Sequence, residues 1–116
     1  MTLCPGEIYY ADFGGDENHR VVIVSREELN RGKYVVTVPF TSQDFENRSK
    51  LLSCVAFSSG DFGCTKNCVA RADNITYMRI ADLQLHRGRI ATLDDEKFRE
   101  IIKAIGYVLN SDCEPL

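Results

Sequence analysis

The hydrophobic pattern of the chain changes period once, close to residue 93, and this change limits the folds that are open to it. Before that point, apolar residues occur in short runs separated by Gly, Asn and Ser, which is typical of β-strands. After it, apolar residues recur at helical spacing: Phe98, Ile101, Ile102, Ile105, Val108 and Leu109. A chain of 116 residues has room for one core. We therefore predict one domain, residues 1–116, of mainly β (α+β) class, with a small, strongly curved sheet or barrel and a C-terminal helix.

The predicted strands are short. They cover residues 7–13, 20–25, 33–41, 51–57, 68–72 and 87–91. Two polar loops, residues 14–19 and 42–50, follow the first and the third of these strands and are the expected positions of a binding site. The second is continuously apolar after Arg20, which predicts burial on both of its faces. Thr92 is the predicted N-cap of the final helix, because the acidic residues 94–96 suit the positive end of a helix dipole.

Charge is distributed unevenly along the chain. The net charge is −3, which makes tight, sequence-blind binding to duplex DNA unfavourable. Residues 61–92, however, contain five Lys/Arg against three Asp/Glu, and they also contain His86. A negative net charge is therefore compatible with a groove in which a few arginines converge. Such a cluster of charges can also be a solvated face.

The five cysteines are an odd number, so they cannot all pair within one chain. No segment is long and apolar enough to span a membrane, and the first residues lack the layout of a secretory signal, so we expect a cytoplasmic protein with reduced thiols. Cys64 and Cys68 form the one close pair. They could bind zinc with His19 or His86, or form a redox bridge, but plain thiols are the favoured interpretation. No cofactor or metal is expected.

Few residues are candidates for chemistry, and they follow predicted strands or polar loops. They are Arg20, Thr41-Ser42, Arg71 and Asp73. Cleavage of RNA without a metal needs a base for the 2′-hydroxyl, an acid for the leaving 5′-oxygen and fixed positive donors at the phosphate. Each residue also has a structural explanation: a surface ion pair for Arg20, a strand end for Thr41, and a salt bridge across one strand face for Arg71 and Asp73.

The order of these motifs resembles the MazF/PemK family of toxin endoribonucleases over roughly residues 5 to 110. The resemblance lies in Pro-Gly-Glu-Ile-Tyr-Tyr-Ala-Asp-Phe (5–13), the acidic loop and strand 16–25, Leu29-Asn30, the Val-Pro-Phe-Thr-Ser end of the third strand, the Arg-x-Asp stretch 67–75, and Arg89-Ile90. One departure is Val21, because the family usually has proline after the loop arginine.

The resemblance implies an SH3-like barrel that works as a homodimer, cuts single-stranded RNA without a metal, and is blocked by a cognate antitoxin. It implies that Arg20 holds the scissile phosphate and that Thr41 hydrogen-bonds the phosphate or the attacking group. Asp73 would then be the general base and Arg71 the general acid or charge stabiliser. Independently of the resemblance, His19 is a candidate to share the proton transfer, because it is adjacent to Arg20 and an imidazole is suited to acid–base work near neutral pH. The residues expected to contact RNA are Asp16, Glu17, Asn18, Ser42, Gln43, Asn47, Arg48, Asn74 and Arg79.

Simple chemistry supports these roles in part. A carboxyl group with a pKa near ~4 is a weak base at neutral pH unless its site raises that value, and arginine almost never releases a proton. Two other classes remain open. The gyrase-poisoning toxins use the same barrel to bind a protein, and an inactive SH3-like module would bind only protein partners.

Overall fold

A computed structural model of the chain describes residues 2–13 and 15–111, except for the side chains of Asp16 and Glu17. The secondary structure consists of β1 (Glu7–Phe13), β2 (Asp16–Ile23), β3 (Tyr34–Thr41), α1 (Phe45–Arg48), β4 (Cys54–Phe57), β5 (Cys68–Arg71), β6 (Thr76–Arg79), β7 (Ala91–Thr92) and α2 (Asp95–Val108). Short 3-10 turns connect several of these elements. No helix within the described ranges is both long enough and apolar enough to cross a bilayer.

The strands form a curled antiparallel half-barrel in the order β4-β5-β3-β2-β1-β7, with β6 also paired to β3. Strand β3 is central. Its first half pairs with β6 and its last two residues pair with β5, while the other edge pairs with β2. The predicted fold class, a curved β-sheet with a C-terminal helix, is confirmed.

The central strands are buried on both faces, so the sheet separates two hydrophobic clusters. Val22 belongs to one cluster, together with residues of β4, β5 and α2. Val21 and Ile23 belong to the other, which Met78 and Leu83 complete. Successive residues of a strand point to opposite faces, so a strand between two clusters must be apolar at every position. This confirms the burial predicted for the second strand.

Helix α2 covers the first cluster with Ile101 and Ala104. Its N-cap is Asp94, whose carboxylate accepts a hydrogen bond from the backbone N–H of Lys97 at 2.8 Å. The prediction of Thr92 as N-cap was wrong, because that residue pairs with Glu7 in the sheet. The predicted apolar stripe was also too wide, since Ile102 is 44% exposed.

Several predicted boundaries were wrong. The strand predicted at 87–91 is mostly irregular: Arg87 ends a 3-10 turn, Gly88 has a φ of +82°, and strand pairing with β1 begins only at Ala91. Strand β6 was missed because only Met78 among its four residues is buried, which leaves little hydrophobic pattern. The predicted loop 42–50 contains α1, and residues 16–19 of the predicted loop 14–19 belong to β2.

Alanine variants of two adjacent isoleucines in α2 test how much the packing of this helix contributes to the free energy of unfolding. Ile101 is 1% exposed within the core, whereas Ile102 is 44% exposed. We expect Ile101→Ala to lower the free energy of unfolding by about 2–5 kcal/mol, because it removes buried methyl groups and leaves a cavity. Ile102→Ala should change it by less than about 1 kcal/mol. Urea unfolding followed by circular dichroism measures both, and equal effects would contradict the packing described here.

Candidate functional site

Arg20 is held by the sheet and by one long-range hydrogen bond. It lies in β2 opposite Tyr10, and its Nη1 donates to the backbone oxygen of Gly63 at 2.8 Å. The next residue, Val21, is fully buried and pairs with both neighbouring strands. A paired, buried strand therefore fixes the backbone after Arg20, at the position where the family usually has proline.

His19 lies beside Arg20 in the same strand, opposite Ala11. Its ring stacks on Phe13, with 4.8 Å between the ring centroids and an interplanar angle of 19°. This aromatic contact limits the orientations open to the imidazole. His19 is thus a positioned side chain at the strand surface and not part of a loop.

An open cleft of about 280 Å³, which we call the Arg20 cleft, lies between the start of β2, the end of β3 and the start of β5. It is lined by Asn18, His19, Arg20, Phe40, Thr41, Ser42, Gln43, Lys66 and Cys68. Two permanent cations, Arg20 and Lys66, face this space, and polar side chains surround them. Such a cleft suits a ligand in which an anionic group lies next to other polar groups.

Thr41 lies at the edge of the Arg20 cleft, at the last position of β3. Its Oγ1 accepts a hydrogen bond from the backbone N–H of Gln43 at 3.2 Å. Ser42 and Gln43 are exposed. The end of β3 therefore contributes one partly buried hydroxyl to the cleft, and the two residues after it contribute exposed polar side chains.

Arg71 and Asp73 form a two-point ion pair. The guanidinium Nη2 lies 2.7 Å from Asp73 Oδ2, and Nε donates to Oδ1 at 3.3 Å. Strand β5 ends at Arg71 and Asp73 lies in a 3-10 turn, so the expectation that both lie on one strand was wrong. The hydrogen bond from Arg71 holds the pKa of Asp73 below its ordinary value, and it raises the pKa of Arg71.

This ion pair lies next to the Arg20 cleft but does not line it. Val69 is directly opposite Thr41, so Arg71, two residues further along, shares a sheet face with Thr41 at roughly 7–8 Å by ordinary cross-strand geometry. The positive charge of Arg48, in α1, also lowers the pKa of Asp73. Arg48, Arg71 and Asp73 therefore form a second charged group, which we call the Arg71 cluster.

Of the remaining residues that were predicted to contact RNA, three asparagines lie in or near the site, whereas Arg79 lies far from it. Asn18 lines the cleft and accepts a hydrogen bond from Arg87 Nη1 at 3.0 Å, and Asn47 lies in α1 near Arg48. Asn74 ends the 3-10 turn that contains Asp73.

Arg79 is not brought to the site. It pairs with Tyr34 at the far end of β3, seven residues from Thr41, which corresponds to about 23 Å along the strand. Its guanidinium lies 3.3 Å from Asp82. The side chains of Asp16 and Glu17 lie outside the described part of the chain.

Four residues of the site were missed by sequence reasoning. Phe40, Lys66 and Cys68 line the cleft, and the oxygen of Gly63 positions Arg20. The sequence contains a signal that could have identified Lys66, because this residue belongs to the net-positive segment 61–92. It contains no signal for a backbone acceptor such as Gly63, because a residue of any type supplies a carbonyl.

The predicted close pair Cys64 and Cys68 is present as two buried thiols with 3.4 Å between the sulfur atoms. One alternative left open by the sequence was a zinc site formed by these two cysteines with His19 or His86. Across residues 2–13 and 15–111, no group of three or more His, Cys, Asp or Glu side chains is arranged to hold a metal ion.

Gly63 and Gly60 form a matched pair of variants for testing the support of Arg20. Both have positive φ, +77° and +95°, but a Cβ at Gly63 would lie 2.5 Å from Ile90 Cγ2, whereas nothing lies within 4 Å at Gly60. Both alanine variants should lose about 1–2 kcal/mol through backbone strain. Gly63→Ala should lose a further ~1–3 kcal/mol from overpacking. Thermal unfolding measures the difference, and equal losses would show that the Gly63–Ile90 contact is not tight.

The ion pair of the Arg71 cluster predicts a pH dependence of stability. Because the pKa of Asp73 is lowered in the folded chain, its contribution is fully present above about pH 4 and is lost as the pH falls through the folded pKa. The carboxylate is 39% exposed, so the contribution should stay below ~1 kcal/mol. In a cycle of Arg71→Gln, Asp73→Asn and the double variant, the coupling measured by urea unfolding should be present at neutral pH and vanish in acid. Coupling that does not change with pH would contradict this assignment.

Comparisons with known proteins agree with this arrangement. Residues 5–109 match the model of the PemK-like, MazF-like toxins of type II toxin–antitoxin systems. None of the curated proteins compared with the chain matches it.

Among solved structures, the fold is similar to an endoribonuclease bound to its cognate antitoxin from a mycobacterial species, with 22% identity, a TM-score of 0.78, and coverage of 97% of this chain and 99% of that one. It is also similar to the Mycobacterium tuberculosis toxin MazF-mt6, at 22% identity, a TM-score of 0.73, and coverage of 90% and 96%. A third similar structure is a MazE–MazF complex from Deinococcus radiodurans, at 18% identity, a TM-score of 0.69, and coverage of 95% and 97%. The family match spans nearly the whole chain, and the protein belongs to the PemK-like, MazF-like toxins of type II toxin–antitoxin systems.

Proposed function

We propose that this single-domain toxin is a metal-independent endoribonuclease that cleaves single-stranded mRNA by attack of the 2′-hydroxyl on the adjacent phosphate, and so inhibits translation and growth. One observation carries the proposal: Arg20, bound to the oxygen of Gly63, lines the same open cleft as Thr41 and Lys66, and this cleft is positively charged. One similar structure is described as an endoribonuclease in complex with its cognate antitoxin, and another as the toxin MazF-mt6, which supports a toxin with endoribonuclease activity here.

Arg20 is the phosphate clamp of the proposed reaction. A guanidinium has five N–H donors, so the 2.8 Å bond to Gly63 orients the group while other donors remain for phosphate oxygens. Negative charge increases on the non-bridging oxygens as the 2′-oxygen attacks. A cation that is already fixed in place stabilises that charge without reorganising. Thr41, which lines the same cleft, supplies a hydroxyl that can hydrogen-bond the same phosphate or the attacking oxygen.

Proton transfer is assigned to His19 as the first choice. Its ring lies in the lining of the cleft and is oriented by Phe13. Asp73 remains the alternative base, but its hydrogen bond to Arg71 lowers its pKa, which weakens it as a base. We assign Arg71 to binding a neighbouring phosphate as a cation, with Asp73 orienting its planar guanidinium.

The RNA is proposed to run from the Arg20 cleft across the end of β3 to the Arg71 cluster. The roughly 7–8 Å between Thr41 and Arg71 is about the separation of successive phosphates in an extended strand. Exposed polar side chains along this path can contact the edges of unpaired bases. They are Asn18, Ser42, Gln43 and Asn47, with Arg48 at the end of the path.

Further partners follow from family membership. We propose that the chain works as a homodimer in the cytoplasm and is inhibited by a cognate antitoxin. The mycobacterial structure is a complex with a cognate antitoxin, and the Deinococcus structure is a MazE–MazF complex, which supports a protein inhibitor. Three exposed apolar residues, Leu51, Leu52 and Tyr107, border a groove beside α2, and exposed apolar groups of this kind favour a protein partner.

The central test is incubation of the protein with a pool of long single-stranded RNAs in EDTA. Wild-type protein should produce discrete fragments with 2′,3′-cyclic phosphate and 5′-hydroxyl ends. Arg20→Ala should slow cleavage by about 10²–10³-fold, the usual effect of removing one charge-stabilising donor. Arg31→Ala is the matched control, because Arg31 is 70% exposed and pairs with Glu27 outside the cleft. Growth inhibition that survives Arg20→Ala without RNA fragments would favour a protein-binding toxin, as in the gyrase-poisoning class.

A second pair of variants separates the two candidate bases. His19→Gln should reduce the single-turnover cleavage rate at saturating protein by about 10²-fold or more, because it removes the group that transfers the proton. Asp73→Asn should weaken RNA binding but leave that saturated rate nearly unchanged, because the lowered pKa of Asp73 makes its carboxylate a weak base. If Asp73→Asn instead lowers the saturated rate as far as His19→Gln does, Asp73 is the base and the assignment to His19 is wrong.

A further inference from the structure

A pair of thiols lies directly beside the Arg20 cleft, and the proposed reaction does not use it. The sulfur atoms of Cys64 and Cys68 are 3.4 Å apart, with the Cys68 thiol donating to Cys64. The residues are 5% and 1% exposed. Cys68 also lines the cleft, so the pair lies directly behind the cleft wall.

The pair is connected to Arg20 in two ways. Cys64 directly follows Gly63, whose backbone oxygen accepts the hydrogen bond from Arg20 at 2.8 Å. Cys68 is the first residue of β5 and pairs with Phe57. A bond between the two sulfur atoms would therefore join the turn that holds Arg20 to the strand β5, whose first residue lines the cleft.

We propose that Cys64 and Cys68 form a reversible disulfide that displaces the turn holding Arg20 and switches the cleft off. The formation of the disulfide is inferred from the geometry of the thiols alone, whereas its effect on RNA cleavage rests on the proposed function. A peroxide is the oxidant by chemical class, and a small dithiol is the reductant.

The chemistry balances in two steps. The Cys64 sulfur attacks one oxygen of hydrogen peroxide, which breaks the O–O bond, gives a sulfenic acid and releases one water. The Cys68 thiol then attacks that sulfur, forms the S–S bond and releases a second water. Two thiols lose two electrons and two hydrogens in total, and one peroxide is reduced to two waters.

The local electrostatics favour this order of attack. The hydrogen bond from Cys68 and the positive charge of Arg20 lower the pKa of Cys64 to about 7, against the opposing effect of burial. The same hydrogen bond, with burial, raises the pKa of Cys68. Cys64 is thus the nucleophilic thiol, and Cys68 remains protonated until it attacks the sulfenic acid.

The bond requires movement at the site. A disulfide is about 2.05 Å long, so the sulfur atoms must approach by roughly 1.4 Å from their 3.4 Å separation. Cys68 is held by pairing in the sheet, whereas Cys64 ends the 3-10 turn Asp61–Gly63. The turn is therefore the part that moves, and the acceptor of Arg20 moves with it. A displacement of about 1 Å at a catalytic group can cost on the order of 10²-fold in rate.

The disulfide can be detected without any RNA. Lys66 lies between the two cysteines, so trypsin separates them into the peptides Leu51–Lys66 and Asn67–Arg71. After peroxide treatment and alkylation, the two peptides should be found as one cross-linked species, which a dithiol separates. Leu51–Lys66 also contains Cys54, so the cross-link must persist in Cys54→Ser and disappear in Cys64→Ser. Absence of the linked peptide in wild type, or its loss in Cys54→Ser, overturns the proposal.

The consequence is measured on the same samples. Oxidised wild type and oxidised Cys54→Ser should cleave RNA about 10²-fold more slowly than their reduced forms, and dithiol should restore the rate. Cys64→Ser should cleave at the same rate before and after peroxide. A cross-linked wild type that cleaves as fast as the reduced protein overturns the switch. If the reduced wild type does not cleave RNA at all, it is the proposed nuclease function that fails, and the peptide map still decides whether the disulfide forms.

Discussion

Strand β3 is buried on both faces, and this burial determines how the neighbouring strands are arranged. Val35 packs into one hydrophobic cluster, while Val38 and Phe40 pack into the other. A strand buried in this way must have its backbone groups paired along both edges, because unpaired polar groups are costly away from water. Strand β3 achieves this by pairing with β2 on one edge and with β6 and then β5 on the other. The same arrangement fixes Thr41 at the rim, where the clusters end and solvent begins.

The site is formed where this rigid strand meets two others. Arg20 comes from β2 and Cys68 from β5, and both strands pair with β3, so their positions relative to Thr41 are set by the register of the sheet. The bond from Arg20 to Gly63 adds one contact between residues 43 positions apart in sequence. A cleft assembled from paired strands is better suited to charge stabilisation than one assembled from loops, because its donors do not have to reorganise. The protein as a whole is acidic, at −3, but Arg20 and Lys66 make this cleft locally positive.

The sequence was informative where the physical signal is local. The strands 7–13 and 20–25, with the final helix, were recognisable because hydrophobic periodicity reports which side chains face a core. Strand β6 was missed because pairing to β3 holds it in place, with little burial of its own side chains. Residues 87–91 were overpredicted because their apolar content is compatible with a strand, whereas the positive φ of Gly88 turns the chain before pairing with β1 begins. Thr92 was a reasonable cap by residue type, yet pairing with Glu7 placed it in the sheet.

The fold class, the family and the residue types available for chemistry could be predicted from the sequence, because they follow from periodicity and from an ordered set of short motifs. Which of those residues lie close together depends on the folded chain. It brought Arg20, His19 and Thr41 to one cleft, paired Arg71 with Asp73 beside it, and left Arg79 at the far end of β3. It also set the proximity of Cys64 and Cys68 to Arg20, and the lowered pKa of Asp73. Distances between side chains from different strands depend on pairing register and sheet curvature, and these are properties of the assembled sheet that no single segment of sequence contains.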